Sequence, residues 1–194
     1  MKQCDDSRSR PGQCYNIVMN MRTALKEQYH ASLAMLAACV NRCPDAVWVS
    51  GTHPRAYWRI VFHAVFYAHL YLGQSVDVFV PWRDGLSKYA SLWNPPGEVE
   101  PYELPETAAA LTQRDALDYI AFVDSLVDPT LERLDLEAAE TGFPWYPNMT
   151  KLSHEIMSLR HVQGHVGQLS ELLMAHGIDT DWIAKAEPGA CSNL

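Results

Sequence analysis

The chain has 194 residues, 48% of them hydrophobic and 20% charged, with a net charge of −8. That length suits one domain with a substantial buried core, and the composition excludes a disordered chain. The acidic balance argues against a nucleic-acid surface, no apolar run reaches the length of a membrane span, and the opening residues lack the apolar centre of a signal peptide. Five cysteines, at 4, 14, 39, 43 and 191, read as reduced thiols of a cytoplasmic protein rather than a disulfide framework. Cys39 and Cys43 have no second pair to close a zinc site with them, so a structural role is expected.

Residues 1–14 read as a flexible extension within a single domain spanning 1–194. The periodicity then predicts four long helices and no strand of comparable length. The first runs from about Gln13 to Val40, with Ile17, Met21, Leu25, Leu33 and Leu36 near helical spacing, and stops before Pro44. The second follows Pro54 and runs to about Gly73, with Ile60, Phe66, Tyr67 and Leu70 around His63. The third opens at Thr112-Gln113-Arg114-Asp115, which has capping-box form, carries Ala116, Ile120, Val123 and Val127, and ends at Asp128-Pro129. The fourth runs from about Ser153 to His176, where Gly177 is a ready stop. The expected fold is all-α, a four-helix bundle with sites built between facing helices.

The connection between the second and third helices, from Gln74 to Leu111, is longer than most loops in compact domains. It carries Trp82, Tyr89, Trp93 and Tyr102. Large aromatics are costly in solvent, so this segment is expected to fold back over the bundle. A lid with Trp82 or Trp93 in a substrate wall and plain packing are both open readings. The link from Pro129 to Thr150, with Phe143-Pro144-Trp145-Tyr146-Pro147, poses the same choice.

The chemistry concentrates in Arg160-His161-Val162-Gln163-Gly164-His165-Val166-Gly167-Gln168-Leu169. Four residues turn a helix by about 400° and advance it by about 6 Å, so His161 and His165 point the same way and can meet on one metal ion. On a wheel with Val162 at zero, Leu159, Val166, Leu169 and Leu173 cluster within about 60° of it, and the two histidines fall at the border of that stripe. The best third ligand is His63, inside the apolar face of its own helix. Three histidines on two inward faces are hard to explain as core residues, since buried unpaired imidazoles carry a desolvation cost. His69 lies about 120° from His63 and cannot easily aim at the same ion. His154 is within reach only if the fourth helix starts late, and His176 suits the helix dipole. His30 and His53 read as surface or structural residues. Gln168 and Tyr67 are candidates for contacts to the ligands or a substrate, with packing the more ordinary role.

One histidine on the second helix and a His-x-x-x-His pair on the fourth, followed by Gly167-Gln168-Leu169, resembles the DinB-like superfamily of small four-helix proteins, named for DNA-damage induction. Leu25-Lys26-Glu27-Gln28-Tyr29, Asp45-Ala46-Val47-Trp48 and His63-Ala64-Val65-Phe66 add to the resemblance, which covers roughly residues 20 to 185. It implies a divalent-metal site at His63, His161 and His165. Three neutral imidazoles leave the charge of the ion intact and a coordination position open, which can acidify a water or thiol or polarise a carbonyl. Zinc and nickel suit the site, as do iron and manganese if waters complete six positions. Related enzymes transfer low-molecular-weight thiols to electrophiles or isomerise with a thiol.

The leading expectation is therefore a metal-dependent transferase or hydrolase acting on a small molecule, with no nucleic-acid or membrane partner. The alternative is a non-catalytic stress-response module in which the ion staples two helices. A third reading is a metal-free bundle acting through protein contacts. No nucleophilic triad or phosphate-cradling glycine loop is present, so catalysis must rest on the metal. Opposite Val162, the fourth helix gathers Arg160, Gly164, Gly167 and Glu171. Glycines inside a helix invite close approach of another backbone, either the long loop or the same helix of a second subunit. The resemblance implies a homodimer.

Overall fold

A computed structural model describes residues 20–52, 54–83, 92 and 109–192. The described residues are helical, with no strand among them: α1 (Met21–Asn41), α2 (Asp45–Trp48), α3 (Tyr57–Leu72), α4 (Gln113–Arg133) and α5 (Lys151–Met174), with 3-10 turns at Val76–Val78 and Ala190–Ser192. None of these helices is long and apolar enough to cross a membrane. α1 packs against both α4 and α5, and α3 packs against the same two, while α1 and α3 touch only slightly. The apolar faces of the four long helices meet in a core that includes Leu33, Leu36, Ile120, Leu131, Leu169 and Leu173, all fully buried. Each such side chain contributes about 1.5–3 kcal/mol relative to exposure.

The helix boundaries follow local chemistry. α1 begins at Met21, later than the predicted Gln13, because the Asn20 side chain accepts from the Thr23 amide and caps the first turn. Residues 1–19, including the predicted extension, lie outside the described residues, as do His53, Tyr89, Trp93 and Tyr102. At the other end of α1, Gln113 Nε2 donates to the carbonyls of Val40 and Cys43, tying that terminus to the start of α4. Thr112 caps α4 as predicted, its Oγ1 accepting from the Asp115 amide at 3.1 Å. α4 does not end at Asp128-Pro129. Pro129 lies inside the helix with its ring exposed, and the chain continues to Arg133. Buried Leu131 anchors that last turn, and Arg22 of α1 donates to the carbonyls of Leu131 and Leu134. These tertiary contacts offset the hydrogen bond that proline removes.

α5 starts at Lys151, capped by Thr150, and ends where Gly177 takes φ +73°. Its termination is closed by the Ile178 amide donating to Leu173 O. Beyond it, the tail runs back along α1: Arg42 binds Asp179 O and Asp181, Gln28 binds Ala184 O, and the Gly189 amide donates to Asp124 Oδ2. Cys39, Cys43 and Cys191 are free and buried, and burial pushes the Cys43 thiol up to about 11, consistent with packing roles.

The first residues of the long connection do fold back. Phe79 packs against Phe66 and His69, and Trp82 stacks on Tyr119 of α4 with ring centroids 4.5 Å apart and planes 7° apart. Arg83 covers that indole and pairs with Asp115. Trp82 is thus a packing residue on α4, not the substrate wall envisaged for it.

Candidate metal centre

α3 is buried along its whole length except at two residues, His63 and Tyr67, which are half-buried. They stand one turn apart, so a single line on an otherwise sealed helix is open, and it faces α5. The sequence places His63 within an apolar face; the structure refines this to a gap, shared with Tyr67, in a helix that is otherwise buried all round. On α5, Val162, Val166, Leu169 and Leu173 turn into the core, and His161 and His165 remain half-buried at its border, as the wheel predicts.

The three imidazoles converge. His161 Nε2 lies 2.9 Å from His63 Nε2 and 3.1 Å from His165 Nε2. One ligand atom from each residue falls within 4.8 Å of the others. Two nitrogens bound to one ion at about 2.1 Å lie roughly 3–3.5 Å apart, so the spacing is that of a chelate ready to close. Without a cation the arrangement is awkward, because a single Nε2 proton on His161 could serve one neighbour and would leave the other facing it badly.

The protonation states fit ligation. His165 Nδ1 lies 2.9 Å from Gln168 Oε1, an acceptor, so the ring carries its proton on Nδ1 and directs the Nε2 lone pair at the other two rings. Burial and then the neighbouring His165 hold His161 down at about 4. Burial also lowers His165, opposed by the Gln168 bond, with Arg55 lowering it further. Arg55 reaches the same Gln168 oxygen at 3.5 Å. Tyr67 lies against the triad, its ring centroid 4.7 Å from that of His63 and 5.5 Å from that of His161.

The other histidines are engaged elsewhere. His69 shares a 3.0 Å hydrogen bond with the Tyr119 hydroxyl, on the α4 side of α3, and burial lowers it to about 4. His154 is fully buried among Tyr71, Phe143 and Tyr146, far down α5 from the pair. His176 is exposed just past α5. His30 is structural but not a surface residue: it is buried, its Nδ1 donating to Asp124 at 2.6 Å. Among the described residues His63, His161 and His165 are the only group able to hold a metal, and no carboxylate or thiol joins them. No close approach covers the glycine face, since a Cβ at Gly164 or Gly167 would meet no described atom within 4 Å.

Sequence reasoning missed Arg55, whose position beside Gln168 depends on how the turn before α3 folds. It also missed the buried Glu155, which accepts from Tyr29 at 2.7 Å and from Gln74 at 3.2 Å. No local pattern marks either. No family model, curated protein or solved structure matches the chain.

Proposed function

We propose that the chain is a metal-dependent enzyme of the DinB-like kind, a four-helix bundle whose His63, His161 and His165 hold one divalent ion. The observation that carries this reading is the convergence of three Nε2 atoms, at 2.9 and 3.1 Å from the central one, on a half-buried line between α3 and α5. Zinc or nickel suits three imidazoles, with iron or manganese as the alternatives. When bound, the ion supplies Lewis acidity at an open position, where it activates a small thiol or water for transfer or hydrolysis.

The chain's own residues set the conditions for that chemistry. Burial keeps His161 and His165 neutral near pH 7, so their lone pairs are available. Gln168 fixes the His165 tautomer, and the sealed body of α3 restricts solvent to the line of His63 and Tyr67. Three protein ligands, with no fourth among the described residues, favour an open, reactive ion over a structural staple. The uncovered glycine face of α5 suits pairing with a second copy as a homodimer.

The test is elemental analysis of the purified chain, followed by conjugation assays with 2-mercaptoethanol or cysteine and a chlorodinitrobenzene electrophile. About one bound ion per chain, lost with chelator together with any turnover, is expected. A chain that binds none of the four metals overturns the proposal. A metal-loaded chain inert toward thiols and activated esters reduces it to a metal-binding module.

A further inference from the structure

Beside the histidines, between the turn that enters α3 and the outer side of α5, lies a cavity of about 500 Å³ whose lining includes Arg55, Ile60, Gln168, Glu171 and Leu172. None of the three histidines lines it; Gln168 links it to the triad. Gln168 holds His165 at 2.9 Å, and Arg55 reaches Gln168 at 3.5 Å. Ile60 stands one turn before His63 on α3, and Leu172 one turn after Gln168 on α5. The path from guanidinium to metal centre crosses one amide oxygen and one imidazole, a span of about 11 Å at most.

Arg55 is the arginine of this wall. It is exposed and has no carboxylate partner among the described residues such as Arg42, Arg83 and Arg114 have. Its backbone is nonetheless fixed. Gly51 takes φ +116°, and a Cβ there would lie 2.8 Å from Arg55 O, so the turn closes tightly only with glycine. The Arg55 amide donates to Thr52 O and the Tyr57 amide to Ser50 O, which lock the turn on both sides. An arginine there offers a planar fork of donors that matches a carboxylate. The Gln168 side-chain N–H groups, without a described partner, stand beside it.

We propose that this cavity is a subsite for the carboxylate of a small organic ligand whose other end reaches the metal centre. Arg55 and the Gln168 N–H groups clamp the carboxylate, and Ile60 and Leu172 cover a short aliphatic body. Glu171 on the same wall repels a second anionic group, so the ligand is a monocarboxylate. The subsite rests on the three-histidine metal reading and specifies which small molecules that centre accepts.

The experiment titrates the cobalt(II)-loaded full chain with 3-mercaptopropionate and with uncharged 2-mercaptoethanol, read by the cobalt absorption as sulfur binds. The wild type should bind mercaptopropionate at least about tenfold more tightly. Arg55→Gln should shrink that preference, taken as the ratio of the two affinities in the same variant, to below about twofold, and Arg55→Lys should keep part of it. Arg55 is exposed, so both variants should melt like the wild type. Cobalt binding with equal affinity for the two thiols, or a preference that survives Arg55→Gln, overturns the subsite alone. A chain that takes up no cobalt overturns the metal reading and the subsite with it.

Discussion

Two histidine environments in this molecule differ in what their nitrogens face. His30 and His69 are buried on the α4 side, and each has a fixed partner: Asp124 for His30, the Tyr119 hydroxyl for His69. His63, His161 and His165, between α3 and α5, are half-buried and aim their Nε2 atoms at one another. The partnered rings stabilise the packing of α4. The convergent rings have little to gain from one another without an ion between them. An imidazole on an apolar face is therefore informative only once the group opposite each nitrogen is known.

The largest expected effect separates the two environments outright. His63→Ala and His161→Ala should each abolish stoichiometric metal binding, whereas His69→Ala should leave it near the wild-type level. Elemental analysis after dialysis reads the difference. Equal loss from all three variants would dissolve the contrast.

Next in size is the His30 pair. Asp124→Ala strands a buried imidazole and frees the Gly189 amide, and should cost about 3 kcal/mol in denaturant unfolding with metal content unchanged. Burial alone would lower His30, but the bonds and charges of Asp124 and Asp128 outweigh it and raise it above its ordinary value. A raised folded value means that the folded state binds the extra proton. The resulting stability is fully present below about pH 6.5 and fades as pH rises through the folded value. Comparing wild type with His30→Gln across pH 5 to 9 should show the advantage shrinking upward.

His69 carries the opposite sign. Burial holds it at about 4, so the unfolded chain binds the proton first as pH falls. Between about pH 6.5 and 4 the wild type should lose on the order of 2–3 kcal/mol that His69→Asn does not lose. Unfolding free energies of the two proteins at pH 7 and pH 5 measure it, and parallel pH profiles would show that His69 is not held neutral by the fold.

The smallest effect tests the back of α5. Gly164→Ala adds a methyl where no described atom lies within 4 Å, so it should raise stability by about 1 kcal/mol. Gly164→Leu should drive a dimer paired through this face toward monomer in sedimentation. A wild-type dimer that stays intact with that leucine pairs elsewhere.

Much of this protein is written in local pattern. The all-helical class, the cap at Thr112, the stop at Gly177 and the shared direction of His161 and His165 follow from helical geometry within a few turns of chain. The choice of His63 over His69 also follows from wheel angle, because six residues rotate a helix far from its starting face. Other features belong to contacts between distant segments. Arg22 with Leu131 carries α4 past Pro129, which a local rule would have made its end. Trp82 chose Tyr119 over the histidines, and Arg55 meets Gln168 only because the Gly51 turn sets it there. Periodicity shows which face of a helix is apolar. Which partner meets each polar atom on that face is settled by packing between segments far apart in the chain.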